Sequence, residues 1–167
     1  MSVGLEQVRE EMARYLREKG VRARTAWPPE RPRELDRPEV LVSLRGCRMG
    51  PGGFQDYLGE RYNPETGRWE ERFGRRAELT LGLDLYVPLR LGGEGMQSAL
   101  DALAGALLEV GPEGLNVQEF SCGETGWDES GRLLRRGVQA VCGCWVCAWG
   151  ETDGVFLDFE LRGGLQA

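Results

Sequence analysis

The sequence predicts a single α+β domain over residues 1–167. One mainly antiparallel, curved sheet packs against two helices, and a β-hairpin projects from it. Three observations predict this class: two segments have helical periodicity, several others have the pattern of strands, and the two kinds do not alternate as in a parallel β–α–β fold. A length of 167 residues is enough for one full hydrophobic core.

The N-terminal region predicts a helix, a short strand and an irregular connection. Residues 4–19 form the predicted helix, and Gly20 supplies its end. A short strand follows over residues 21–27, whereas four prolines within residues 28–38 oppose a regular hydrogen-bond ladder. The apolar stripe of the helix consists of Leu5, Val8, Met12, Tyr15 and Leu16.

The middle of the chain predicts two strands with a hairpin between them. Residues 40–45 are rich in strand formers, and the glycines of residues 46–53 predict a turn that ends this strand. A long hairpin is predicted over residues 54–73, because residues 63–67 (Asn-Pro-Glu-Thr-Gly) have the composition of a turn. Residues 77–87 alternate apolar and polar side chains and give the strongest strand pattern.

The C-terminal half predicts a second helix and three strands. Apolar spacing marks the helix between Met96 and Leu107, and its many small residues indicate close packing against the sheet. We predict strands over residues 115–120, 137–149 and 155–161, with an arginine-bearing loop between the first two.

The absence of histidine excludes several classes of catalytic and metal-binding site. The chain contains 20 arginines, one lysine (Lys19) and no histidine. Without imidazole there is no Ser-His-Asp or Cys-His nucleophile pair and no histidine metal ligand. No side chain has an ordinary pKa near neutral pH.

Charge and hydropathy favour a protein of the cytosol. The net charge of −6 opposes attraction to nucleic acid or anionic lipid, so we expect no membrane and no sequence-specific nucleic-acid partner. The N-terminus carries charges where a signal peptide needs an apolar run, and no apolar segment is long enough to span a bilayer.

Five cysteines raise the question of a zinc site. Their odd number favours reduced thiols. Cys142, Cys144 and Cys147 lie within a run of strand formers, where a period of two places the first two on one face and the third on the other. We therefore predict small buried side chains, and neither a metal site nor a cofactor. The remaining two are Cys47 and Cys122.

Paired carboxylates are the remaining basis for acid–base catalysis. Glu78 with Asp84 and Glu119 with Glu124 are the candidate pairs, and a small carboxylate-dependent hydrolase is the alternative function from another class. Alternating acidic residues on a strand are commonly solvated, so we assign no catalytic residue and expect a protein that is not an enzyme.

Arginine and aromatic residues cluster in the hairpin and before the late strand. This composition is typical of protein interfaces, although solvated loops and a nucleic-acid surface share it. Phe73 lies nearby in the sequence. The candidate interface residues are Tyr57, Arg61, Tyr62, Trp69, Arg72, Arg75, Arg76, Trp127, Arg132, Arg135 and Arg136.

The order of elements over residues 4–149 resembles the tail-terminator proteins of long-tailed bacteriophages and contractile phage-tail-like particles such as R-type bacteriocins. In addition, DYLGERYNPETGRWEERFGRRAELTLGLDLYVP (residues 56–88) resembles a segment of small proteins encoded beside sheath and tube genes in prophages of Gram-positive bacteria.

This resemblance implies a homohexameric ring that caps the head-proximal end of the tail tube and sheath and ends tail polymerisation. Its partners would be copies of itself, the tube protein, the sheath protein and, in phages, the head–tail connector. The protein would be made in the bacterial cytoplasm and remain in the assembled particle. Another neck, tail-completion or minor tail protein is the alternative within this class.

Overall fold

Two helices and a seven-stranded sheet are present in the parts of the chain that the computed structural model describes, which are residues 4–28, 35–51, 57–109, 111–129, 132–151 and 156–162. The helices are α1 (Val8–Glu18) and α2 (Gly92–Leu108), each preceded by a 3₁₀ turn. The strands are β1 (Ala23–Arg24), β2 (Glu39–Pro51), β3 (Tyr57–Asn63), β4 (Arg68–Pro88), β5 (Asn116–Trp127), β6 (Leu133–Glu151) and β7 (Phe156–Arg162). The predicted α+β class is confirmed.

The long strands β4 and β6 form the centre of the sheet, and each is flanked by two shorter strands placed end to end. Strands β2 and β3 pair with successive parts of β4, and β5 and β7 pair with successive parts of β6. Among the strands of the described residues, only the two-residue β1 pairs in parallel, with β2. The sheet therefore has two parts. The first half lies next to the helices and consists of β1, β2, β5 and the parts of β4 and β6 that pair with them. The second part is a four-stranded extension (residues 57–74, 145–151 and 156–162).

One face of the first half, called the helix-side face here, carries the hydrophobic core. Every second residue of β4 from Ala77 to Val87 is buried on it, as the alternation predicts. The paired positions of β6 continue the same layer. They are Val138, Ala140, Cys142, Cys144 and Val146.

Both helices cover this layer. The predicted stripe of α1 packs into the core, and the Tyr15 hydroxyl donates a hydrogen bond of 2.7 Å to the Ala106 carbonyl of α2. In α2, the predicted apolar residues Met96, Leu100, Leu103 and Leu107 are all buried. No helix within the described ranges is long and apolar enough to cross a membrane.

The predicted turn over residues 46–53 is wrong for residues 46–51, which continue β2. Residues 52 and 53 lie outside the described part of the chain. After a bulge at Arg45, this segment pairs with β4 from Thr80 to Arg75. The ladder to β4 satisfies its backbone groups, which outweighs the weak strand preference of glycine.

The predicted hairpin is confirmed by the pairing of β3 with β4, although residues 54–56 lie outside the described residues. Pairing with β3 ends at Phe73, where the hairpin was predicted to end, but β4 itself runs without a break to Pro88. Arg72 therefore lies at the end of the hairpin ladder, and Arg75 and Arg76 lie beyond it in the same strand.

The late strands also differ from prediction. Strand β5 continues to Trp127, and β6 begins at Leu133, so Arg135 and Arg136 lie in a strand where a loop was predicted. The reason is that Thr125, Gly126 and Trp127 pair directly with the start of β6. Of the strand predicted over residues 21–27, only β1 forms.

The two-face arrangement of the cysteines is confirmed. Cys142 and Cys144 are buried on the helix-side face, and Cys147 is buried on the opposite face, whereas Cys47 and Cys122 are exposed. Burial is the largest cause that raises the pKa of Cys142 to about 12 and that of Cys144 to about 11.

We expect two of the five thiols to react with an aromatic disulfide reagent in the native protein at pH 8, namely those of Cys47 and Cys122. The others should react only after unfolding, because they are buried; Cys142 and Cys144 also stay protonated. Absorbance counting with and without urea measures both values. Rapid native reaction of all five thiols would contradict the packing described here.

Candidate protein-interaction surfaces

Four exposed aromatic side chains form a patch on the extension. Tyr57 lies edge-to-face against its cross-strand partner Phe73, with ring centroids 5.7 Å apart. Tyr62 and Trp69 form a second such pair at 5.6 Å. The four side chains, called the aromatic face here, remain 38% to 53% exposed.

The aromatic face is a continuation of the helix-side face. Trp69 and Phe73 have the same parity along β4 as the core residues Ala77 and Leu79, so their side chains project on the same side. In the first half of the sheet the helices bury this side. On the extension, the exposure of the aromatic rings shows that no described residue covers them.

Such a patch has the chemistry of a protein contact. Aromatic side chains offer large contact area at a low cost in conformational entropy and are enriched where interfaces are tightest. The cross-strand pairing holds the rings in fixed positions before a partner arrives. The aromatic face therefore consists of two preformed aromatic pairs, with the cross-strand carboxylates Glu60 and Glu71 on the same face between them.

The opposite face of the extension holds a compact polar cluster. The guanidinium of Arg61 lies 3.6 Å from the centre of the Trp149 ring, and that of Arg72 lies 5.7 Å from it. Asn63 and Arg61 donate hydrogen bonds of 2.8 and 2.7 Å to the Glu70 carboxylate. These bonds hold the pKa of Glu70 below its ordinary range.

The side chain of Leu58 in β3 packs directly over Gly74 of β4. The bulge after Tyr57 places Leu58 over Gly74, next to the buried thiol of Cys147. A Cβ atom at Gly74 would lie 2.5 Å from the Leu58 side chain and 3.2 Å from the Cys147 sulfur. Because Gly74 has no side chain, there is space for the Leu58 side chain at the bulge.

Glycines are concentrated on the side of the sheet away from the helices, called the helix-free face here. Long side chains lie flat over some of them: Arg45 over Gly82, and Gln118 over Gly143. The floor of this face is therefore low and flat. Its glycines include Gly46, Gly50, Gly74, Gly82, Gly137 and Gly143.

A shallow depression of about 490 Å³ opens on the helix-free face. Its lining includes Arg48 and Arg76, both exposed, together with Glu78 and Gln118. This site is called the arginine depression here. Within the described ranges, neither arginine has a carboxylate at ion-pair distance.

Asp84 lies farther along the same face, between two arginines. Arg45 and Arg135 approach its two carboxylate oxygens at 2.6 and 2.9 Å. The hydrogen bond to Asp84 is the main cause that raises the pKa of Arg135. Asp84 is thus bound as an ion-pair partner, an arrangement that does not supply the isolated carboxyl group of a general acid.

The segment of residues 111–129 is acidic. It contains five carboxylates and no lysine or arginine, and is called the acidic segment here. Glu119 and Glu124 are exposed on β5. Trp127, near its end, is 64% exposed. Within the described residues, the outer edge of β5 has no partner strand.

The structure separates the predicted interface residues into two groups. Tyr57, Tyr62 and Trp69 meet on the aromatic face, with Arg61 and Arg72 on its reverse side. Trp127, Arg132, Arg135 and Arg136 lie at the other end of the sheet. From Arg72 to the partner of Arg135 on β4 the distance is roughly 45 Å at about 3.3 Å per residue.

Arg75 and Arg76, which lie side by side in sequence, point to opposite faces of β4. Arg75 lies on the helix-side face, and Arg76 lines the arginine depression. Sequence reasoning missed Arg48 and the Trp149 cluster. A signal for Arg48 exists, since it stands two residues from both Gly46 and Gly50 and would share one face of a strand with them.

No cluster of three or more Cys, Asp or Glu side chains in the described ranges is arranged to hold a metal ion. Comparison of the chain with protein-family models and with curated protein sequences finds no match.

Proposed function

We propose that this protein is a structural assembly protein, a tail terminator. It forms a homohexameric ring on the head-proximal end of the tail tube and sheath of a phage or phage-tail-like particle and ends tail polymerisation. It is made in the cytoplasm of the bacterial host and acts by binding alone. The observation that carries the proposal is the aromatic face on a four-stranded extension that no described helix covers.

A protein tube stops growing when its end is capped. A head-to-tail interface that does not close propagates a tube indefinitely. Growth ends when a ring satisfies the last tube surface and presents a different surface outward. The aromatic face supplies a preformed contact for the tail, with two aromatic pairs and the carboxylates of Glu60 and Glu71 between them. Strands β3 and β4, which build it, belong to the segment that resembles prophage tail proteins.

The ordered polar groups fit a binding role. Glu39, Glu70 and Asp84 are buried carboxylates of the helix-free face, and each is held by arginine, so their charges fix side-chain positions. A permanent assembly contact needs such fixed surfaces and needs no group that titrates near neutral pH. This supports a binding protein over the hydrolase alternative.

A polymerisation assay tests the proposal. Purified tube protein from the same particle is allowed to assemble with increasing amounts of this protein, and tube lengths are measured by electron microscopy. We expect the mean tube length to fall even when there is far less than one ring of this protein for each layer of tube subunits. The reason is that the protein binds only at tube ends. Bovine serum albumin at equal mass is the control for crowding.

The outcome also separates the alternatives within the assembly class. Binding to tubes without a change in length would contradict termination and favour another neck, tail-completion or minor tail protein. No binding and no length change would remove the proposal.

A further inference from the structure

We propose that the acidic segment of one copy docks into the arginine depression of the next copy, and that this head-to-tail contact builds the ring. The inference rests on the proposed function for the existence of a ring, and it adds which two surfaces meet. The occupant of the depression is thus a second copy of this chain.

The basic side of the contact consists of Arg48 and Arg76. They are exposed on neighbouring strands, beside Gly50, which has no side chain, and the side chain of Gln118, which lies over Gly143. Glu78 lies on the same face but beyond ion-pair distance of either guanidinium. Two free guanidinium groups over a flat floor match the planar, bidentate geometry that carboxylates prefer.

The acidic side consists of Glu119 and Glu124. Both are exposed, and neither has a cationic partner within the described ranges. They lie on the outer strand β5, at and beside its two bulges. The bulges keep β5 from simple edge-to-edge pairing and turn its side chains outward, toward another surface.

The two sides do not neutralise each other within one molecule. Along the order β2, β4, β6, β5, the strand of Arg76 is two intervals from β5 and the strand of Arg48 is three. At about 4.8 Å per interval, these separations are about 10 and about 14 Å. Arg48 and Arg76 of one copy can therefore form ion pairs with the acidic segment of a second copy.

Charge balance favours a second copy over a nucleic acid. The chain as a whole carries a net charge of −6, which repels a polyanion at long range. A copy of the same chain presents the exposed carboxylates of Glu119 and Glu124 on a strand without a basic residue. Because the two surfaces differ, the contact is heterologous, and a heterologous contact builds a ring when the rotation from one copy to the next closes.

The test is a charge exchange followed by light scattering of the purified full chain over a range of concentrations. R48E/R76E and E119R/E124R are each expected to weaken self-association by about 100-fold or more, since like charges then face each other. An equimolar mixture of the two variants should associate again, because each supplies the charge that the other lacks. The variant that carries all four changes should also recover.

Controls separate charge effects from unfolding and from general changes in net charge. E94R/D101R changes net charge as E119R/E124R does, on the exposed side of α2, and should associate like wild type. Thermal unfolding checks that each variant is folded. A monomeric wild type, failure of the mixture to associate, or association unchanged in both charge-reversed variants would overturn the contact.

Nucleic-acid binding is the competing outcome. If R48E/R76E lowers retention on a short double-stranded DNA and leaves self-association unchanged, the arginine depression serves DNA and the proposal is wrong. The result does not depend on tubes. If the variants associate as predicted but the ring leaves tube length unaltered, the contact between copies is supported and only the proposed termination of tubes is refuted.

Discussion

Y62S/W69S is expected to fold like the wild type and to lose its binding to tail tubes by about 100-fold or more. The two rings are half-exposed in the free protein and form the aromatic pair next to the turn of the hairpin. Truncation of a few aromatic residues removes most of the affinity at many protein interfaces. Co-sedimentation with preassembled tubes, over a range of protein concentrations, measures the loss.

Conservative variants make this result specific. Y62F/W69F keeps two aromatic rings at these positions and should retain most of the binding. L108S changes an apolar residue that is 88% exposed at the end of α2, away from the extension, and should bind like wild type. Tubes that bind folded Y62S/W69S as tightly as wild type would show that the aromatic face is not the contact.

L103A is expected to lower the free energy of unfolding by about 3 kcal/mol, whereas L108A should change it by less than about 0.5 kcal/mol. The two leucines lie five positions apart in α2, but Leu103 is fully buried against the sheet and Leu108 is 88% exposed. Removal of the Leu103 side chain leaves a cavity that the tightly packed core fills only in part.

Urea unfolding followed by far-ultraviolet circular dichroism measures both values. For a chain of this size, a loss of about 3 kcal/mol corresponds to a fall in Tm of about 6 to 12 °C. Equal effects of L103A and L108A would contradict the packing of α2 on the helix-side face. The unfolding curves of L103A and L108A also serve as references, because the curves of the interface variants can be compared with them to judge whether those variants are folded.

The helix-covered core could be predicted because its pattern is local. Strict alternation from Ala77 to Val87 fixes which side of β4 is buried, and the stripe with Met12 and Leu16 fixes the buried side of α1. These patterns arise because burial of apolar surface on one side dominates the energetics of each element. They do not require knowledge of the neighbouring strand.

The continuity of the long strands could not be predicted in the same way. Gly46, Gly50 and Gly74 interrupt the local strand pattern, and in a single sequence glycine indicates a turn. In the folded chain these positions lie on the helix-free face, where backbone pairing with a neighbouring strand supplies their hydrogen bonds. That pairing is a long-range property.

The candidate surfaces were predictable in chemistry but not in arrangement. Composition indicates that arginine and aromatic residues of the hairpin belong to an interface. It does not reveal that Tyr62 and Trp69 pair on one face while Arg61 lies on the reverse side over Trp149. Nor does it separate Arg135 from the hairpin, because the distance between them depends on the register of β4 with β6.

The length distribution of tails made without this protein tests the central claim most directly. The gene is deleted in the strain that carries it, particles are induced, and tube lengths are measured by electron microscopy. We predict overlong tubes of variable length, restored to a single length by a plasmid copy of wild type and not by Y62S/W69S. Tubes of normal, uniform length in the deletion strain would contradict termination.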